Sequence, residues 1–265
     1  MPRSGPQIDF TPPPTADRAL GVFETVLVAD GRAVELARHL ERLRASVHAL
    51  YGSALPLDLE GQVAQAAAQH ALGRLRIGAR PRAGDAPAVD VETAPLHSAH
   101  VLPRAEVALV TVRVSDGFGA HKLIDRGWLE QIEAAAGAAV RPLLVTRAGA
   151  LLETTRANVF LLRDGALATP PLDGAILPGV TREVVLERAR LLGISAREIP
   201  LTVEELRGAD AVLLSGALRV LEHAGGRRNR RSEKTAARLA EALDDLRRPG
   251  GGRQSRRVSN HATTE

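Results

Sequence analysis

The stretch LLETTRANVFLLRDGALATPPLDGAILPGVTR, Leu151–Arg182, decides the fold. Val159–Arg163 is an apolar run that closes on Asp164-Gly165, a pair suited to the positive backbone angles of a tight hairpin. Ala166–Thr169 reads as the returning strand, and Pro170-Pro171 stops it because proline has no N–H for a sheet ladder. Leu177-Pro178-Gly179 opens a helix expected over Val180–Leu192, with Gly193 as its stop signal. A glycine ahead of a helix leaves backbone N–H groups bare at the positive end of the helix dipole, a seat for a phosphate. The same turn residues also serve helices that bind nothing, so the stretch names a place to look.

Upstream, Leu20–Ala29 reads as a strand turning at Asp30-Gly31, and Arg32–Leu36 returns. Leu36, Leu40, Leu43, Val47 and Leu50 recur at helical spacing, so Leu36–Leu50 is a helix carrying His39 and Arg42. A second helix is expected over Leu59–Ala71, a strand over Gly73–Ala79, a loop over Pro81–Pro87 and a short strand over Val89–Thr93. Glu106–Val114 is a strand, and the glycines of Ser115–Ala120 suggest the domain boundary. The expected division is a flexible leader over 1–18, an N-terminal α/β domain over 19–115, a C-terminal domain over 116–248 and a disordered basic tail over 249–265. Within the C-terminal part, Ile124–Ala139 reads as helix, Arg141–Thr146 and Ala211–Ser215 as strands, and Ser232–Arg248 as an amphipathic helix.

Composition narrows the function. The chain has 265 residues, no cysteine and no apolar run near membrane-spanning length, which excludes disulfides and thiolate chemistry and makes the cytoplasm the expected location. The pI near 10.4 invites a nucleic-acid reading, but residues 225–265 hold 11 Lys/Arg against 5 Asp/Glu. The rest is slightly acidic, and with one Trp, one Tyr and four Phe there is little to stack on bases. Neither nucleic acid nor a membrane is expected as a partner.

Arginine replaces lysine almost everywhere. Of 35 basic residues only Lys122 and Lys234 are lysines, and Lys234 lies in the basic C-terminal region. An arginine cannot become a neutral nucleophile at accessible pH. Lys122 is therefore the residue to test for amine chemistry.

Gly21-Val22-Phe23-Glu24-Thr25, His39-Leu40-Glu41-Arg42-Leu43, Lys122, Glu153 with Asn158-Val159-Phe160, Thr169-Pro170-Pro171 and Leu177–Arg182 occur in one order. Together they resemble the fold-type IV pyridoxal-phosphate enzymes, the class-IV aminotransferases and their lyase relatives, over roughly residues 20–224. The resemblance implies an α/β (α+β) protein with a small N-terminal α/β domain, a larger C-terminal pseudo-barrel domain that binds pyridoxal 5′-phosphate, and a homodimer. It implies that Lys122 forms the imine with the cofactor aldehyde and moves the substrate proton. It implies that Glu153 faces the pyridine nitrogen, while Arg42 and the Gly179-Val180-Thr181 backbone take the phosphate. His39 reads as structural. Arg182 opposes the helix dipole and is given no chemistry.

Within that family the residues lean towards the aminodeoxychorismate lyases, which release pyruvate and leave 4-aminobenzoate for folate biosynthesis. Thr25 stands where the lyases carry a threonine, and the segment Lys122-Leu-Ile-Asp-Arg126 is followed by Gly127 where branched-chain aminotransferases keep a tyrosine. Ser215-Gly216-Ala217-Leu218 has alanine where aminotransferases place a phosphate-binding hydroxyl, although Gly216 departs from the lyases' asparagine. Arg74, Arg76 and Arg219 are candidates for the substrate's carboxylates, Arg76 and Arg219 foremost. An aminotransferase for branched-chain or D-amino acids is the alternative. A non-catalytic relative whose basic tail binds an acidic partner is the third reading.

Overall fold

The computed structural model describes residues 8–10, 16–101, 107–115, 117–137 and 139–247, so the tail expected to be disordered lies outside the described residues. Within the expected leader, β1 (Ile8–Phe10) runs parallel to a later strand, and the Asp17 N–H donates to Asp125 at 2.8 Å. That part of the leader is tied to the body.

The first sheet is made by β2 (Val22–Ala29), β3 (Arg32–Ala33), β4 (Leu72–Arg82) and β5 (Asp85–Pro95), ordered β3-β2-β4-β5 and antiparallel throughout. The Asp30-Gly31 turn has φ of 50° and 72°, the conformation that suits a two-residue hairpin. Helices α1 (Leu36–Tyr51) and α2 (Leu59–Ala67) cover one face of this sheet. There Val22, Val26 and Val28 meet Leu40, Leu43 and Val47 in a buried cluster. Alternation turns Phe23, Thr25 and Leu27 to the opposite face. The loop expected over Pro81–Pro87 and the short strand after it are instead a long hairpin. Pro81 sits where the β4–β5 register shifts between Arg80 and Arg82, and Pro87 and Pro95 lie on the edge strand β5, where a missing N–H costs the sheet little.

The second sheet has nine strands and parallel and antiparallel pairs. In chain order after β1 come β6 (Ala108–Val114), α3 (Gly127–Ala136), β7 (Val140–Thr146), β8 (Leu151–Thr154), β9 (Asn158–Arg163), β10 (Ala166–Thr169) and α4 (Val180–Leu191). Then follow β11 (Ala196–Glu198), α5 (Val203–Gly208), β12 (Ala211–Gly216), β13 (Val220–His223) and α6 (Arg230–Ala242). The order is β1-β6-β7-β8-β9-β10-β11, with β12 paired to β9 and β13 to β12. Because β6 pairs with β7, the chain changes sheets between Pro95 and Ala108, ahead of the glycines at 115–120. The Asp164-Gly165 turn joins β9 to β10 as its sequence requires, with φ of 50° and 77°.

Helix α4 packs Val184, Val185, Leu186 and Ala189 against Phe160 and Leu162 of β9 and Leu213 of β12. Leu27, from the cleft-facing side of β2, joins that same cluster. Each such buried side chain contributes about 1.5–3 kcal/mol, so the seam between the sheets is held apolarly beside the site. Arg38 of α1 adds ion pairs to Glu183 at 2.6 Å and Glu187 at 2.8 Å on α4.

Candidate active site

A cavity lies between the two sheets, and the second sheet supplies its polar floor. The β8–β9 hairpin sets Glu153 opposite Asn158, and the β9–β12 register sets Asn158 opposite Ser215. Three polar side chains therefore stand abreast on one sheet face, all buried and all lining the cavity. Glu153 accepts from the Leu177 N–H at 2.9 Å and from Asn158 Nδ2 at 3.1 Å, and Asn158 also donates to Leu177 O at 3.0 Å. This bonding pins the Leu177-Pro178-Gly179 turn to the floor. Gly179 is required there, because a Cβ would run into Asn158 Oδ1. Burial pushes the Glu153 carboxyl up to about 7, against the Leu177 N–H and the positive charge of Lys122, Arg42 and Arg126. Such a group gains from a cationic partner.

The first sheet contributes a buried ion cluster. Glu24 is the one acid on the apolar face of β2, 1 % exposed, and Arg42 and His39 of α1 converge on it. Arg42 donates through Nε at 2.8 Å and Nη2 at 2.6 Å, while His39 Nδ1 lies 2.7 Å from the second oxygen. Burial raises the Glu24 carboxyl, but the Arg42 charge and the hydrogen bonds outweigh it and hold the group at about 2. Arg42 Nη1 donates to Pro178 O at 2.8 Å, so the guanidinium is fixed beside the start of α4 with further N–H groups left over. Helix α4 begins without a side-chain cap at Gly179, and its first N–H groups at Val180 and Thr181 face the same cavity.

Lys122 closes the site from the loop between β6 and α3. Its carbonyl accepts from the Phe23 N–H at 2.9 Å, and the Ile124 N–H donates to Gly21 O at 2.9 Å. Gly21, at φ 103°, lies so close to the Ala79 carbonyl that a side chain would not fit. Lys122 Nζ stands 4.9 Å from the centroid of the Phe23 ring. Burial pushes the amine down to about 8, and Arg126 and Arg42 push the same way against Glu24 and Glu153. A lysine so placed supplies far more neutral amine near physiological pH than a free one.

Lys122, Thr25, Arg42, Glu153, Gly179, Val180 and Thr181 thus share one cavity. Arg76 is also outside the cavity lining; it lies opposite Thr25 in the sheet register and stacks on Phe23 at 4.1 Å. Arg219 is outside the cavity lining, with Nε 3.4 Å from Glu222 and Nη2 donating to Ala99 O at 3.2 Å. Arg182 is buried and donates to Pro170 O and to Glu198, each at 2.8 Å, which explains why α4 tolerates it in its first turn. Sequence reasoning gave no role to Glu24, Ser215 or Arg126. A charge on the otherwise apolar face Val22, Val26, Val28 was the available signal for Glu24, and a cation at the start of α3 that for Arg126. Ser215 follows only from the strand register.

The residues fit a phosphorylated pyridine aldehyde. Lys122 supplies the amine, Glu153 the buried acid for a ring nitrogen, and Arg42 with the start of α4 the donors for a phosphate. Ser215 adds a buried hydroxyl on the cavity wall for which no hydrogen-bond partner exists among the described residues. Such an orphan calls for a polar ligand. Fold and site therefore define a two-sheet pyridoxal-phosphate protein. The family description "Amino-transferase class IV" matches residues 21–222, and the chain belongs to that family, whose members are pyridoxal-phosphate enzymes. The fold is that of the fold-type IV enzymes, with a half-barrel second sheet.

A candidate branched-chain-amino-acid aminotransferase of Methanocaldococcus jannaschii is 27 % identical over 215 residues, 74 % of each chain. The match to an Arabidopsis thaliana chloroplastic branched-chain-amino-acid aminotransferase is local: 40 % identity over 75 residues, 28 % of this chain and 18 % of the plant enzyme. Among solved structures, a hypothetical Mycobacterium tuberculosis aminotransferase in its apo form has TM-score 0.75 at 26 % identity, covering 88 % of this chain and 94 % of that one. A candidate 4-amino-4-deoxychorismate lyase of Legionella pneumophila has TM-score 0.71 at 20 % identity, covering 90 % and 100 %. No helix among the described residues is long and apolar enough to cross a membrane.

Proposed function

We propose that the protein is a pyridoxal-phosphate-dependent 4-amino-4-deoxychorismate lyase that forms 4-aminobenzoate and pyruvate. The observation that carries this reading is Thr25, whose hydroxyl-bearing side chain lies on the cavity wall with Lys122, on the face of β2 turned away from the apolar core. Ala217 also lines the cavity, without a hydroxyl. When bound, the cofactor offers a protonated ring that accepts the electron pair left as a proton departs the amine-bearing carbon. Glu153 holds the proton on the ring nitrogen. Arg42 and the Val180 and Thr181 N–H groups bind the phosphate. Lys122, whose amine burial pushes down to about 8, takes the proton from the carbon. Thr25 donates a hydrogen bond to the ether oxygen as the bond to the enolpyruvyl group breaks, and the ring becomes aromatic.

Two observations favour an aminotransferase for branched-chain or D-amino acids as the second reading: the M. jannaschii relative and the apo M. tuberculosis structure. The first steps are common to both, so Lys122 and Glu153 serve either. The reading includes a cytoplasmic homodimer acting on a small amine.

Incubating the purified holoenzyme with aminodeoxychorismate and following both products tests the proposal; the absence of 4-aminobenzoate would refute it. Thr25→Val is expected to lower kcat by about 10- to 1,000-fold, as loss of a donor used in the transition state does elsewhere, with the cofactor absorbance retained. An unchanged kcat would remove Thr25 from the chemistry.

A further inference from the structure

We propose that Arg126 binds a carboxylate of the substrate at the cavity, so that with Arg76 across the Phe23 ring the site selects a dicarboxylate. The proposal rests on the lyase reading for the identity of that substrate. Arg126 lines the cavity four residues after Lys122, and its guanidinium lies 5.8 Å from the Phe23 ring centroid. Arg76, outside the cavity lining, meets the same ring at 4.1 Å, and Lys122 meets it at 4.9 Å. Three cations therefore gather on one aromatic side chain. Among the described residues neither arginine makes an ion pair.

The acid whose charge acts most on Arg126 is already taken. Glu133 binds Arg156 through both oxygens, at 2.7 Å and 2.5 Å, and also accepts from Thr155 Oγ1 at 2.6 Å. Among the described residues Arg126 is left with one hydrogen bond, Nη2 to Thr155 O at 2.7 Å, which aims the group without neutralising it. It also occupies the N-cap of α3, where the helix dipole disfavours a cation, and the Gly127 N–H there is taken by Asp125 Oδ1 at 3.1 Å. Burial and the neighbouring Arg156 push its pKa down, and the Glu133 and Glu130 charges offset them only in part. A carboxylate would supply that counter-ion in fork geometry. A substrate with one carboxylate would leave one of the two arginines unpaired. A dianion satisfies both, while its amine faces Lys122.

Chorismate tests this on the holoenzyme, because it carries both carboxylates and the enolpyruvyl ether but has a hydroxyl in place of the reactive amine. Calorimetric titration should show Kd rising with salt. Arg126→Gln is expected to weaken chorismate about 10- to 100-fold, as loss of a charge-assisted hydrogen bond does, and to flatten the salt dependence. KM for aminodeoxychorismate should rise by more than kcat falls, with the cofactor still bound as the imine. Binding within about twofold of the parent's would overturn the proposal, that difference being below the effect of one such bond. Should Arg126→Gln not fold, Arg126→Lys decides. It keeps the charge, so salt-dependent binding should persist with a loss below about tenfold; salt-independent binding would place the value of Arg126 in its contact with Thr155 and overturn the proposal. Arg126-dependent chorismate binding by an enzyme that releases no pyruvate would refute the lyase and leave the carboxylate site standing.

Discussion

Lys122→Ala and Lys122→Arg are expected to lose covalent attachment of the cofactor and to lower turnover by at least about 10³-fold, the scale of a lost acid–base group. Arginine fails for a chemical reason, since the guanidinium never offers a free electron pair at accessible pH. The other lysine, Lys234, is exposed on α6. Borohydride treatment followed by peptide mass analysis should find the reduced cofactor on Lys122 alone. Label on Lys234, or an unaltered visible absorbance in Lys122→Ala, would contradict the assignment. The amine must be neutral to react, and burial holds it at about 8 instead of the ordinary 10.5. Reconstitution of the apoenzyme should therefore quicken as pH rises through about 8 and level off above it, measured by stopped-flow absorbance.

The second large effect concerns Glu24. Glu24→Gln leaves the buried charge of Arg42 unbalanced, and removing one member of a buried ion pair costs about 3–5 kcal/mol. The Glu24 carboxyl falls from 4.5 to about 2 on folding, so its contribution is complete above pH 4.5 and is lost as pH falls towards 2. That contribution is roughly 3 kcal/mol. Urea unfolding at neutral pH should show the loss in full, and the gap between variant and parent should narrow in acid. The variant should also bind the cofactor less tightly, because Glu24 orients the arginine beside the α4 start. Equal stability of variant and parent at neutral pH would show that the cluster is not held by this carboxylate.

Much of this was legible in the sequence, and the reasons are local. Asp30-Gly31 and Asp164-Gly165 marked both hairpins because few other pairs take two positive φ angles cheaply. Lys122 stood out because its composition neighbours are arginines. The β4–β5 hairpin was hidden because its prolines look like breakers, and only their place at a bulge and on an edge strand makes them harmless. The floor of the site was hidden for another reason. That Ser215, Asn158 and Glu153 stand side by side depends on the register of three strands, which no stretch of sequence states. Arg219 shows the converse: a suitable residue type near a suitable motif, placed by the β12–β13 turn beside Glu222 and Ala99.

The reaction itself is tested most directly by counting turnovers without a 2-oxo acid. Elimination returns the cofactor to its starting form, so the holoenzyme with aminodeoxychorismate alone should release pyruvate steadily through many turnovers per site. An aminotransferase leaves the cofactor as the amine after half a reaction and waits for an acceptor. One turnover per site that stalls, and resumes only when 2-oxoglutarate is added, would contradict the lyase.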